Sequence, residues 1–118
     1  MDYGEKDIYL RTFNFSLGIL ELSDSILKKR NGYILSNQLV RAGTSVGANL
    51  REAKQARSKS EFIAKLSISL QEAEEALYWL ELTGKYLLIK SRNYDNLIGE
   101  CIEIKKIIST IIQISKRK

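Results

Sequence analysis

The residue types that carry out most protein chemistry are scarce in this 118-residue sequence. It contains no histidine and one cysteine, Cys101, so the commonest general base and the usual zinc ligand are missing. The remaining polar candidates are Asn49 and Glu52, which share one face of a helix, with Glu72 or Glu75 as a second carboxylate. Because these residues form no credible pair of nucleophile and base, we predict that the protein is not an enzyme and has no metal site or cofactor. For Asn49 and Glu52 we predict a structural role.

Positively charged residues suggest a different chemistry, the binding of phosphate groups. The net charge is +5, and residues 41–65 contain six basic and two acidic side chains. Residues 66–84 contain four glutamates and no base, whereas residues 85–118 contain eight basic and three acidic side chains. Clustered cations attract the phosphates of nucleic acids, although lysines that keep a helix end soluble are the alternative. The candidate nucleic-acid-binding residues are Arg51, Lys54, Arg57, Lys59, Lys116, Arg117 and Lys118.

Apolar residues recur at intervals of three and four along most of the chain, a pattern that is typical of amphipathic helices. The spacing predicts helices over about residues 6–29 and 35–57, a third helix whose apolar stripe starts at Phe62 and which runs to about residue 90, and a fourth helix that includes residues 94–111. Asn31-Gly32 predicts a turn after the first helix.

Capping residues support the later boundaries. Ser36 is an alternative N-cap for the second helix. Ser58 and Glu61 have the spacing of a capping box before the third helix. Either Ser91 or Asn93 is expected to cap the fourth helix.

Four helices with short connections predict an all-α fold, an up-down-up-down antiparallel four-helix bundle, with residues 1–118 as a single domain. The predicted core stripe of the second helix is Leu35, Leu39, Ala42, Val46, Asn49 and Ala53. Because Asn49 interrupts an apolar stripe, we expect it to be buried, with its amide bonded to neighbouring helices. Gly43 and Gly47 are one helical turn apart and would let another helix come close, at a cost of roughly 1 kcal/mol each in helix propensity.

The topology brings the charged segments together. In an up-down-up-down bundle, the connection between the second and third helices lies at the same end as the C-terminus, so the two groups of candidate residues should meet there. The opposite end is basic too, because it holds Lys28, Lys29, Arg30, Lys90 and Arg92. None of the usual nucleic-acid-binding motifs is present.

The third and fourth helices contain more apolar residues than one core stripe needs. These are Ile63, Tyr78, Trp79, Leu82, Tyr86 and Leu88 on the third helix, and Ile98, Ile102, Ile107, Ile112 and Ile114 on the fourth. A wide core is one explanation, but two such helices would leave a monomer with a large apolar surface. We therefore predict that the protein self-associates.

The composition predicts a cytoplasmic protein. Residues 1–11 carry both charge signs and lack the apolar core of a signal peptide. No apolar run approaches the roughly 20 residues that span a bilayer, and we predict no membrane partner. A single cysteine excludes an internal disulfide and fits a reducing compartment.

Residues 38–53, QLVRAGTSVGANLREA, resemble the signature of the four-helix bundle proteins named after the 23S rRNA intervening sequence. That signature is Gln-Leu, then Arg-Ala, then Ser followed by Ile or Val, then Asn-(Ile/Leu)-x-Glu-(Ala/Gly). The next segment of the family is matched by Ser60-Glu61-Phe62, Leu66, Ser69-Leu70 and Glu72, with Glu74 or Glu75 at the acidic positions after it. The specific likeness covers residues 38–75. The departures are mild, with Leu50-Arg51 where Ile-Ala is commoner and Ala53 where glycine is frequent.

The resemblance implies a small bacterial bundle that assembles as a homopentamer. It also implies a relation to the accessory proteins of diversity-generating retroelements, in which a basic pentamer holds nucleic acid and a reverse transcriptase. We thus expect the chain's partners to be further copies of itself, RNA or DNA, and a reverse transcriptase.

Two functions follow from these features. The leading hypothesis is a non-enzymatic oligomeric bundle whose basic surface binds RNA or DNA with little sequence specificity. The alternative is a protein–protein adaptor or scaffold whose apolar helix face recruits a partner. A peripheral membrane protein that uses its C-terminal helix is disfavoured, because the isoleucines of that helix are needed for the core and for assembly.

Overall fold

Four helices make up the bundle. The computed structural model describes residues 3–118, with side chains from residue 8 onward. Helix α1 spans Tyr3–Ile26, α2 Gly32–Ala53, α3 Lys59–Leu87 and α4 Arg92–Arg117. In the described part of the chain each helix packs against its neighbours in the order α1–α2–α3–α4 and back to α1, and the backbones of diagonal helices stay more than 8 Å apart between Cα atoms. The predicted all-α, up-down-up-down bundle is confirmed. Among these residues no helix is long and apolar enough to cross a membrane.

Serine hydroxyls cap two of the helices, as predicted. The Ser58 hydroxyl accepts a hydrogen bond from the Glu61 N–H at 3.0 Å, and the Ser91 hydroxyl accepts one from the Tyr94 N–H at 3.1 Å. Ser91, rather than Asn93, is therefore the cap of α4. Each bond satisfies one of the N–H groups that a helix leaves without an internal partner at its start.

The predicted boundaries of α2 are wrong at both ends. The helix begins at Gly32 instead of residue 35, directly after Asn31 in the left-handed conformation (φ 52°). A side chain at Gly32 would overlap the carbonyl oxygen of Ile26, so glycine is required there. Ser36 is not a cap, because it lies inside α2, where its hydroxyl donates to the Ser23 carbonyl of α1 at 3.1 Å.

At its other end α2 stops four residues earlier than predicted, at Ala53. The backbone tightens beyond this point. The N–H of Gln55 donates to the Glu52 carbonyl at 3.0 Å, and the N–H of Ala56 donates to the Ala53 carbonyl at 3.1 Å. These bonds span three residues instead of four, which is typical of a helix end. The basic residues after Ala53 therefore belong to the connection between α2 and α3.

The core is made of apolar side chains that recur at intervals of three and four on each helix, as the spacing predicts. Its fully or nearly fully buried apolar side chains are Ile8, Phe15, Ile19 and Ile26 of α1, Leu39, Ala42, Val46, Leu50 and Ala53 of α2, Leu66, Ala73, Ala76 and Leu80 of α3, and Cys101, Ile104 and Ile108 of α4. The prediction for Asn49 is wrong. It is only half-buried, and Leu50 takes the core position after Val46. Steps of three-then-four and four-then-three both fit a helix, so spacing alone could not choose between Asn49 and Leu50.

Small residues on α2 allow α1 to approach it closely. A Cβ atom built on Gly43 would lie 2.7 Å from the Cγ1 atom of Ile19, and one on Gly47 would lie 3.2 Å from the Thr12 hydroxyl. The first distance is too short for a side chain to be accommodated without movement. The predicted close approach of another helix at these glycines is confirmed, and that helix is α1.

We predict that alanine has opposite effects at two helical glycines. A methyl group on Gly84 would overlap the Tyr94 phenol, whereas Gly99 has open space around it. Gly84→Ala should displace Tyr94 from its 2.7 Å hydrogen bond to the Leu80 carbonyl and lower the free energy of unfolding by about 1–3 kcal/mol. Gly99→Ala should raise it by about 0.5–1 kcal/mol through helix propensity. Urea unfolding measures both, and a Gly84→Ala variant as stable as the parent would contradict the described packing.

Candidate nucleic-acid interface

One end of the bundle carries a recess that is lined by both groups of predicted cations. Lys54 and Lys59 come from the α2–α3 connection and the start of α3, and Lys118 follows α4. The Lys59 ammonium donates a hydrogen bond to the backbone carbonyl of Lys118, which ties the two segments together. The recess has a volume of about 550 Å³. We call it the end pocket, and its remaining lining residues are Tyr9, Ala53, Ala56, Ser58, Phe62 and Ser115.

The other predicted cations lie near the end pocket and not in it. Arg51 lines an adjoining groove of about 510 Å³ between α1 and α2, which shares Tyr9 with the end pocket. Its guanidinium carbon lies 5.9 Å from the centroid of the Phe13 ring. Arg57, Lys116 and Arg117 are exposed to solvent at the same end. The structure therefore brings three of the seven candidates into one recess and places Arg51 beside it.

An aromatic ring accompanies the cations, and the sequence analysis missed it. The Lys54 ammonium lies 4.5 Å from the centroid of the Tyr9 ring, a distance at which a cation is attracted to the ring face. Tyr9 adjoins the core stripe of α1 without belonging to it, so periodicity gave it no role. Its position beside Ile8, at the end where the predicted cations meet, is the signal that could have identified it.

Within residues 8–118, the carboxylate next to Arg51 in the sequence is engaged elsewhere. Glu52 points toward α3, where its carboxylate lies 2.6 Å from the Lys65 ammonium. Within residues 8–118, none of the seven candidates forms an ion pair with a side-chain carboxylate. Exposed charges of this kind attract a negatively charged ligand, and salt screens the attraction.

The residues of the α2 signature have mainly structural contacts. Arg41 bonds Gln38 at 2.9 Å and forms an ion pair with Glu75, and its guanidinium lies 3.6 Å from Glu72. Glu75 also accepts a hydrogen bond from the Trp79 indole N–H at 3.0 Å. This bond, and then the Arg41 contact, hold the pKa of Glu75 below its usual value. A carboxylate held ionised in this way joins α2 to α3 and is a poor general base.

Asn49 does not bond a neighbouring helix, contrary to the prediction. Its side-chain amide donates to the Ser45 carbonyl of its own helix at 2.9 Å. Glu52, one turn further along, instead reaches Lys65 on α3. The two residues share a face of α2 but have separate partners, and neither contacts Glu72 or Glu75 among the described hydrogen bonds and ion pairs. Their structural role stays a prediction.

The apolar surface differs from the predicted one. On α4 the expected surplus is largely core, because Ile112 is buried and Ile98, Ile107 and Ile114 are half-buried, which leaves Ile102 exposed. On α3 the side chains of Tyr78, Leu82 and Tyr86 are exposed as expected, and so is Leu88 directly after the helix. An exposed apolar surface that was not predicted lies on α1. Its exposed side chains Leu10, Phe13, Leu17 and Leu20 are 42–61% accessible and, at intervals of three and four, form one stripe.

These features define the class of protein, a small antiparallel four-helix bundle with a basic recess at one end. The family model described as 23S rRNA-intervening sequence protein matches residues 5–110, and the chain belongs to that family. A similar solved structure is that of a protein of unknown function from the S23 ribosomal protein family of Bacteroides thetaiotaomicron VPI-5482. It is 35% identical, has a TM-score of 0.87, and the match covers 93% of this chain and 98% of the other. No curated protein matches the chain.

We predict that Cys101 is unreactive in the folded protein. Its thiol is buried and donates to the Ala73 carbonyl at 3.3 Å. Burial, with smaller contributions from Glu81 and Glu100, raises the pKa of this thiol from 9.0 to about 12. Since the thiolate is the nucleophile, alkylation by iodoacetamide near pH 8 should be slow in buffer and fast in urea. Mass spectrometry follows the reaction, and equal rates in both conditions would contradict the described burial.

Proposed function

We propose that the protein is a non-enzymatic, self-associating bundle that binds RNA or DNA at its basic end with little sequence specificity. The observation that carries this proposal is the end pocket, in which Lys54, Lys59 and Lys118 line one recess. Three segments that are distant in sequence line it, namely Tyr9 of α1, the α2–α3 connection with the start of α3, and the end of α4. A binding site needs such convergence, whereas a helix end that is only solvated does not need it. The family is named after an intervening sequence of 23S rRNA, which supports RNA as one ligand to test.

The chemistry of the end pocket supports a phosphate ligand with little base discrimination. Lysine ammonium groups contact phosphates as point charges, and such contacts position a nucleic acid without reading its sequence. Arg51 in the adjoining groove extends the positive surface toward α1. Self-association would repeat this surface on each copy and strengthen binding to a long strand.

The apolar stripe of α1 supports self-association. Leu10, Phe13, Leu17 and Leu20 lie on one side of the helix, next to a groove whose floor is made of small residues, Ser16, Thr44, Gly47 and Ala48. A helix of a second copy could bury the stripe and lie over this floor. The number of five subunits comes from the family resemblance alone, and a reverse transcriptase partner likewise stays a prediction.

The same stripe favours the second candidate function, an adaptor that binds another protein. In that case the occupant of the groove would be a partner helix and not a second copy. The two candidates differ in the mass of the purified protein, because an adaptor without its partner would be a monomer.

We predict that charge reversal at the end pocket weakens binding. Lys54→Glu with Lys59→Glu should lower the affinity for single- and double-stranded probes at least tenfold. It should also reduce the magnitude of the log–log salt slope by about 2, because each lost phosphate contact removes about 0.9 on duplex DNA. Fluorescence anisotropy with labelled RNA and DNA at two salt concentrations measures both quantities.

The control carries the same charge change at the opposite end of the bundle. Lys28→Glu with Lys29→Glu alters two exposed lysines and should leave the affinity within about twofold of the parent. If the two double variants lose affinity equally, binding is a property of net charge and the end pocket is not the site. Absence of binding by the parent protein at low salt would leave the adaptor function.

We predict that one lysine on the α1 stripe disrupts assembly. Light scattering coupled to size exclusion should give the parent a mass several times the 13.5 kDa of one chain. Leu17→Lys buries a charge in the proposed contact and should yield the single-chain mass. Gln71→Lys, which adds the same charge at an exposed position of α3, the helix diagonal to α1, should keep the parent mass. A parent protein of 13.5 kDa at micromolar concentration would refute self-association.

A further inference from the structure

We propose that the end pocket holds an unpaired nucleotide, so that the protein binds single strands more tightly than duplexes. This inference rests on the proposed function, since it concerns the same recess. It specifies the ligand further than phosphate contacts alone can, because it distinguishes single strands from duplexes.

Aromatic rings share the end pocket with the cations. Tyr9 and Phe62 line the same recess as Lys54, Lys59 and Lys118. Proteins that bind single strands combine these two elements, because cations hold the phosphates while bases stack on aromatic side chains. Every base has a flat face, so such stacking tolerates any sequence. A duplex offers its phosphates to the cations, but its bases are stacked on one another and do not enter a recess.

The rings and one cation are already in place for such a ligand. Tyr9 and Phe62 are half-buried and pack against the core, from α1 and from the first turn of α3 respectively. The Lys54 ammonium lies over the Tyr9 ring, 4.5 Å from its centroid. Contacts to a phosphate and to the neighbouring base would therefore be adjacent. Side chains that are fixed before binding lose little conformational entropy on binding.

The size of the recess fits a ligand of this class. Its volume of about 550 Å³ falls within the range of about 300–1,000 Å³ that is usual for small-molecule sites. The two serines in its lining, Ser58 and Ser115, add hydroxyl groups beside the lysines. Of these, the Ser58 hydroxyl is engaged by the Glu61 N–H as the cap of α3, and it can still donate a hydrogen bond to a phosphate oxygen.

The opposite end of the bundle provides a matched comparison. There the Arg30 guanidinium carbon lies 4.6 Å from the centroid of the Tyr86 ring. Arg30 also donates to the Tyr86 carbonyl at 3.2 Å, and the Asn31 amide donates to the Tyr86 hydroxyl at 2.8 Å. In this second pair the cation bonds the backbone of the aromatic residue, and Asn31 of the adjoining turn bonds the ring hydroxyl. It resembles the Tyr9–Lys54 pair in chemistry, and it lies outside the end pocket.

The first test changes the probe and leaves the protein intact. Fluorescence anisotropy compares a labelled thymidine strand of about ten nucleotides, an abasic strand with the same number of phosphates, and a hairpin duplex. We expect the thymidine strand to bind about tenfold more tightly than the abasic strand, and the abasic strand to bind no more tightly than the duplex. Equal affinity for the thymidine and abasic strands would overturn the inference while the proposed function stands. Absence of binding to all three probes would overturn both.

The second test removes one ring and keeps an apolar side chain in its place. Phe62→Leu should lower the affinity for the thymidine strand about tenfold and leave the affinity for the duplex within about twofold. Tyr86→Leu, which removes the corresponding ring at the opposite end, should change neither affinity. Circular dichroism on heating confirms that both variants fold. Equal losses for single strand and duplex in Phe62→Leu, or an equal loss in Tyr86→Leu, would overturn the inference.

Discussion

The close approach of α1 to α2 is the constraint on which the rest of the structure depends. Ile19 packs where a side chain at residue 43 would have to lie, and Thr12 packs against Gly47 one turn further along. The two glycines cost helix propensity, and the packing that they permit has to exceed this cost. Serine hydroxyls fix the register on both sides of α2. Ser36 donates to the Ser23 carbonyl of α1, and Ser69 of α3 donates to the Val46 carbonyl at 2.7 Å.

This close packing determines what lies at the basic end. Because α1 sits tightly on α2, its first described turns bring Tyr9 against Lys54 and Phe13 against Arg51. The same geometry turns the stripe of Leu10, Phe13, Leu17 and Leu20 away from the core. The basic end therefore combines cations with aromatic rings, and an apolar surface for assembly lies beside it. Each feature follows from the rotation of α1 about its own axis, which the contacts with Gly43 and Gly47 hold in place.

The sequence was sufficient for the fold and insufficient for the site. Helical spacing and capping residues predicted four helices, Ser58 as one cap, and either Ser91 or Asn93 as another. Topology predicted that the cations of the α2–α3 connection and of the C-terminus lie at the same end. The rotation of each helix was less certain. An error of one position puts Asn49 in the core in place of Leu50, and of the isoleucines of α4 that were expected at the surface only Ile102 is exposed. Tyr9 could not be assigned from spacing, because its role comes from a contact with Lys54, 45 positions away in the chain.

The claim that the end pocket binds nucleic acid is tested most directly by locating the ligand on the protein. Hydrogen exchange followed by mass spectrometry compares the free protein with the protein saturated by a short RNA or DNA strand. Binding at the end pocket should slow exchange in peptides that cover residues 54–62 and 112–118. It should leave peptides that cover residues 27–33 and 85–92, at the opposite end, unchanged. Protection at that opposite end, or none at residues 54–62, would contradict this account.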